Sequence, residues 1–141
     1  MTRNKNLHIL LDTNALIWFA HAPHKLGPEA KNLISNASRR FISSISILEI
    51  VIKTMNGRLD FPSKVDEITE SLKAEYINFD QIHANGLKDF PTLSKHDPFD
   101  RMLLSQAKTE NLMLLTSDEV LLSFGYEIGR ASCRERVYSS V

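Results

Sequence analysis

A chain of 141 residues with 17 basic and 17 acidic side chains has no formal net charge, so nothing global advertises a nucleic-acid binder and any such partner must be held locally. A hydrophobic share of 43% suits one soluble domain with a real core. The single cysteine, Cys133, excludes a disulfide framework and a cysteine-based zinc site, and no apolar run approaches a membrane span, so a cytoplasmic protein is expected.

In chain order, Leu7–Leu11 is a short apolar run that reads as a buried strand. It stops at Asp12-Thr13-Asn14, and Ala15–Ala20 reads as a short helix. Pro23 and Gly27-Pro28 punctuate a loop. A helix is predicted from Pro28 to about Ser38, with Ala30, Leu33, Ile34 and Ala37 on one face, then a strand over Arg40–Ser43. Ser46-Ile47-Leu48-Glu49 is a capping-box pattern opening a helix to about Asn56, for which Gly57 is a natural terminator. A further helix is predicted from Phe61 to Glu75, a strand over Tyr76–Phe79 and a helix over Gln81–Lys88.

The densest stretch is His96-Asp97-Pro98-Phe99-Asp100-Arg101, followed at once by the apolar positions Met102, Leu103, Leu104 and Ala107. Asp97 before Pro98 reads as an N-cap with proline at the first helical position. Asp100 falls third in that helix, where an acid can complete a capping box. Asn111–Leu115 reads as another buried strand, ended by Thr116-Ser117-Asp118. A short helix to Phe124 follows, and Tyr126–Ile128 begins a last strand. Residues 129–141, with no clear period, resemble translated vector or read-through sequence; a domain over 1–128 and a non-native or disordered tail over 129–141 are expected. Without Arg130, Arg134, Arg136 and Glu135 the remainder is slightly acidic. The alternation of strands and helices predicts an α/β fold, a mostly parallel sheet with helices on both faces. In such folds the site lies beyond the carboxyl ends of the strands.

Asp12, Glu49 and Asp118 each follow a predicted strand, and Asp100 sits in the first turn of its own helix. Singly, each reads as a helix cap: Asp12 for the helix from Thr13, Glu49 back to Ser46, and Asp118 for the helix to Phe124. Jointly they read differently. A like-charged pair about 4 Å apart costs roughly 4 kcal/mol at an effective dielectric near 20, against a net domain stability of about 5–15 kcal/mol. A cluster of four therefore calls for a hard cation. Oxygen-only ligands, without cysteine or a spaced histidine pair, point to Mg²⁺ or Mn²⁺, which suits phosphoryl chemistry.

Leu10-Leu11-Asp12-Thr13-Asn14, Ser46-Ile47-Leu48-Glu49-Ile50 with Lys53, His96-Asp97-Pro98-Phe99-Asp100-Arg101 and Leu115-Thr116-Ser117-Asp118 resemble the four acidic motifs of PIN-domain ribonucleases. More narrowly they resemble the VapC-like toxins of type II toxin–antitoxin pairs. The similarity covers about Leu7 to Tyr126, and Asp-Pro-Phe-Asp-Arg is its most specific element. The resemblance implies a PIN-like fold and an Mg²⁺- or Mn²⁺-dependent endoribonuclease acting on single-stranded or loop RNA. It implies a cognate antitoxin partner that blocks the site and a homodimer; no membrane partner is expected, since no apolar run is long enough to span one. By match, Asp12, Glu49, Asp100 and Asp118 are the catalytic, metal-binding acids, with Thr116 orienting them. The chain departs from the family where its closing strand is cut short near Ile128.

Other residues read more plainly. Lys53, four after Glu49, reads as an ordinary helix ion pair. Arg101 reads either as a phosphate contact or as a surface arginine, and His96 as exposed. Trp18 and Phe19 read as core or dimer contacts, and His21 and His24 lack the partners of a zinc site. The alternative function is a non-catalytic PIN-like docking module for protein or RNA. A phosphoacceptor domain would need paired acids after the first strand and a lysine after a late one; Asp12 stands alone and Thr116-Ser117-Asp118 offers no lysine.

Overall fold

In this computed structural model the described residues are 4–61, 64–91, 97–116, 128–130 and 138–139. Strand β1 (Asn4–Leu11) leads into helix α1 (Thr13–His21), a short 3-10 turn and helix α2 (Pro28–Asn36). Strand β2 (Ala37–Ser43), helix α3 (Ser44–Met55), helix α4 (Val65–Leu72) and strand β3 (Glu75–Ile77) follow. Next come helix α5 (Gln81–Gly86), a 3-10 turn over Leu87–Asp89, helix α6 (Pro98–Thr109) and strand β4 (Met113–Thr116). Two short strands, β5 (Ile128–Arg130) and β6 (Tyr138–Ser139), complete the order.

The sheet order is β3-β2-β1-β4-β5-β6. Every pairing is parallel except β5 with β6, which is antiparallel. Parallel strands covered on both faces have no polar side, which is why β1 and β4 are near-continuous apolar runs. Successive side chains still alternate. Ile9, Leu11, Ile42, Met113 and Leu115 share one core with α1, α2, α4 and Ile50 of α3. Leu10, Phe41 and Leu114 share the other with Ile45 and with Leu103, Leu104 and Ala107 of α6. The α/β fold with helices on both faces is thus as the sequence predicts.

Differences from the predicted boundaries have local causes. β2 begins three residues early because Ala37, the C-cap of α2, is already extended and no loop intervenes. Arg40, buried in that strand, donates from Nε to the Ile34 carbonyl at 2.6 Å and from a terminal nitrogen to the Ser35 carbonyl at 3.3 Å. β3 ends early because the Phe79 amide donates to Ser44 Oγ at 3.1 Å rather than to a ladder. α4 is shorter than predicted and stops where Lys73 turns left-handed, at φ 54°. Asn111, also left-handed, closes α6, so β4 starts two residues late. α3 ends as predicted on Gly57, with φ 70°. The Arg58 amide donates to the Lys53 carbonyl at 2.9 Å and the Gly57 amide to the Thr54 carbonyl at 3.1 Å, the paired bonds of a Schellman end.

Gly129 and Arg130 pair with Leu115 and Thr116, and Tyr138–Ser139 pairs back onto β5, so the sheet continues past the predicted end at Ile128. The open edge of β4 explains this, because its backbone groups need ladder partners. The predicted helix to Phe124 lies outside the described residues. α5 lies close against α6: a Cβ on Gly86 would stand 2.7 Å from Ser105 Oγ, which donates to the His83 carbonyl at 2.5 Å. Among the described residues no helix is long and apolar enough to cross a membrane.

Candidate functional site

Asp12 stands where β1 becomes α1. Its amide donates to the Leu115 carbonyl at 3.0 Å, carrying the β1–β4 ladder one step beyond the strand. Its Oδ1 accepts from the Ala15 amide at 2.7 Å, so the predicted N-cap is real. Yet Asp12 is only 3% exposed. A cap at a solvated helix end needs no such burial, so capping does not account for this carboxylate's surroundings. Thr116, fully buried at the end of β4, lies on the strand beside it.

Glu49 departs from its capping reading. The N-cap of α3 is Ser43, whose Oγ accepts from the Ile45 amide at 3.0 Å, and the helix begins at Ser44. Glu49 is therefore in the second turn, beyond reach of the helix start. Ser46 turns inward instead, where Thr13 Oγ1 donates to its Oγ at 3.2 Å. This hydroxyl pair, missed in the sequence, fastens the start of α1 to the start of α3. Its only signal was a hydroxyl residue in the first turn of two helices that each follow a buried strand. Ser46 and Glu49, three apart, share a helix face. So Asp12 and Glu49 flank one hydroxyl pair at the carboxyl end of neighbouring strands.

Glu49 is 5% exposed, and its Oε2 meets Lys53 Nζ at 2.7 Å, the ion pair the spacing predicts. Its Oε1 is buried and accepts no hydrogen bond from the described residues. A carboxylate oxygen left so is costly unless a cation or donor meets it.

Asp97 is exposed and caps α6: its Oδ1 accepts from the amides of Phe99 at 2.8 Å and Asp100 at 3.3 Å. Leu103, Leu104 and Ala107 of α6 pack on Leu114 of β4. A short turn joins the two, so α6 runs back along β4 and its first turn, with Asp100, stands at the carboxyl end of the sheet. Asp100 is half-buried there. Arg101 is also half-buried, and its Nε is buried without a hydrogen-bond partner among the described residues. The topology thus brings Asp12, Glu49 and Asp100 to one edge. Asp118 and His96 lie outside the described residues. Among the described residues no three His, Cys, Asp or Glu side chains form a group placed to hold an ion. Trp18 and Phe19 pack against the core, and His21 sets its ring edge against Phe61 at 4.7 Å.

The PIN domain family model matches residues 9–125. The chain belongs to the PIN domain family. The matched span of this PIN domain contains all four acids singled out from the sequence. No curated protein sequence matches it. Among solved structures, the PIN domain is similar to a toxin–antitoxin complex from Klebsiella pneumoniae, at 20% identity and TM-score 0.60, covering 86% of this chain and 96% of that one. It is also similar to DNA-bound VapBC from Salmonella typhimurium, at 20% identity and TM-score 0.57 with the same coverage. A third is VapBC2 from Rickettsia felis bound to a promoter DNA fragment, at 22% identity and TM-score 0.53, covering 79% of this chain and 89% of that one. At these identities the likeness is one of fold.

Proposed function

We propose that this PIN domain is a nuclease toxin, a metal-dependent endoribonuclease that hydrolyses RNA phosphodiester bonds. The observation that carries the proposal is Glu49: a buried carboxylate, too far into α3 to cap it, with one oxygen that no described residue hydrogen-bonds. That oxygen fits a divalent cation, and Mg²⁺ or Mn²⁺ suits an all-oxygen donor set. Asp12, Glu49, Asp100 and Asp118 would hold it. When bound, such an ion lowers the pKa of water and neutralises charge building on phosphate oxygens.

The chain's own groups would do the rest. The bond from Ala15 to Asp12 and the Thr13–Ser46 pair tie the start of α1 to the start of α3, so the elements that carry Asp12 and Glu49 are fixed relative to each other. Arg101, beside Asp100, would meet the RNA phosphate. Single-stranded or loop RNA is the substrate class that the resemblance to PIN-domain ribonucleases implies. Toxin–antitoxin complexes among the similar structures support a cognate antitoxin partner, and we place its blocking contact at this edge. A homodimer in the cytoplasm is proposed with it.

The test is cleavage of structured RNA by the purified protein with Mg²⁺ or Mn²⁺. Activity should stop with EDTA and return with added ion. Cleavage that survives complete chelation refutes the mechanism. The alternative reading is a non-catalytic PIN-like docking module. A docking module would show no carboxylate-dependent Mn²⁺ binding.

A further inference from the structure

We infer that Lys53 is the resident counter-ion of the carboxylate site, holding Glu49 in the metal-free chain and competing with the divalent ion for it. The inference rests on the metal-site reading above. An ordinary i,i+4 pair joins two exposed groups and contributes little. Here the partners are unequal: the Glu49 side chain is 7% exposed and that of Lys53 38%. The acid is fixed in the interior, and the base reaches it from solvent along an apolar stem.

The two carboxylate oxygens are also unequal. Lys53 Nζ takes Oε2 at 2.7 Å and leaves Oε1 buried and unpartnered. The ammonium therefore neutralises the buried charge while leaving one coordinating position open. A divalent ion arriving at Oε1 meets a positive charge across a single carboxyl group. Either the ammonium withdraws to solvent, which its half-exposed position permits, or the two cations repel. In both cases Lys53 weakens metal binding. Its place is set by the backbone, because its carbonyl accepts the Arg58 amide in the closing turn of α3.

Lys53→Met keeps the stem and removes the charge. Mn²⁺ binding is read from the loss of the free-ion electron paramagnetic resonance signal, for the wild-type chain, Lys53→Met, Lys53→Arg and Asp12→Asn. Asparagine preserves the cap of α1, so the last variant tests the carboxylate alone. The wild type should bind Mn²⁺ and Asp12→Asn should lose that binding. Lys53→Met should bind about tenfold tighter, as expected when a like charge a few ångströms away is removed, and Lys53→Arg should match the wild type. If Lys53→Met does not fold, Lys53→Gln carries the same expectation. Carboxylate-dependent binding in the wild type with equal or weaker affinity in the charge-removed variant overturns the counter-ion role and leaves the metal site standing. No Mn²⁺ binding by the wild type, or binding indifferent to Asp12→Asn, overturns the site and the inference together.

Discussion

Asp97 and Asp100 lie three residues apart in the first turn of α6, and the structure gives them separable tasks. Asp97 is exposed and its Oδ1 accepts two amide hydrogens, one at 2.8 Å and a longer one at 3.3 Å. Replacing it by alanine removes both bonds, but water reaches the freed amides. The loss belongs near the middle of the usual range for an N-cap, about 1 kcal/mol. For a chain of this size that lowers the melting temperature by roughly 2–6 °C. Asp97→Asn should be almost silent, since asparagine caps nearly as well. Asp100 gives its amide to that cap, which asparagine keeps, and asparagine here removes one charge from a set of like charges. Asp100→Asn should therefore melt no lower than wild type without metal. Its Mg²⁺-induced stabilisation should shrink, because that gain follows metal affinity, and RNA cleavage should fall by orders of magnitude. Thermal melts with and without Mg²⁺ and a cleavage assay read both residues. Loss of activity in Asp97→Asn together with retained activity in Asp100→Asn would show the two roles reversed.

Three further outcomes are expected. Gly86→Ala should destabilise the fold by about 1–3 kcal/mol in denaturant melts, because the new Cβ meets Ser105 Oγ at 2.7 Å and that hydroxyl is engaged with the His83 carbonyl; a neutral result would mean that α5 and α6 separate freely. Gln106 is wholly buried with neither amide atom hydrogen-bonded, so Gln106→Met should stabilise by roughly 1–3 kcal/mol, and a clear loss on the same melts would sink the argument. Glu75 is held below the ordinary 4.5 of a glutamate by its hydrogen bonds and charge pairing with Arg39. A depressed carboxylate stabilises the fold fully above its unfolded pKa and ceases to as pH falls through the folded value. The gap in melting temperature between wild type and Glu75→Gln should therefore be present at neutral pH and close under acid conditions; a gap that widens below pH 4.5 contradicts the pairing.

The fold was legible because its two central strands are apolar on both faces, a pattern that parallel burial requires and amphipathic helices do not show. The cap at Asp97, the terminator at Gly57 and the Glu49–Lys53 pair were legible because each is local, with partners within five residues. What escaped was set by tertiary contact. Ser46 looked like a cap because four consecutive residues matched the motif; its partner is Thr13, a distant residue brought close only by the β1–β2 pairing. Phe79 looked like strand until Ser44 took its amide. The beginning of β2 was hidden because Ala37 fits a helix face as readily as a strand, and only the extended backbone after Asn36 decides it.

The direct passage from α2 into β2 has a consequence for heritable variation. Arg40 ties the strand to the last carbonyls of the helix before it, and three residues later the same strand delivers Ser43, which starts α3 and so sets where Glu49 stands. An inserted or deleted residue between 36 and 40 cannot be absorbed as slack. It slides β2 by one position, exchanges the two faces of the sheet and shifts the helix that carries the carboxylate. Length polymorphism in such PIN domains should therefore be silent in the turns around Pro23 and Gly57 and disabling at this corner, although the corner lies at the opposite end of β2 from α3.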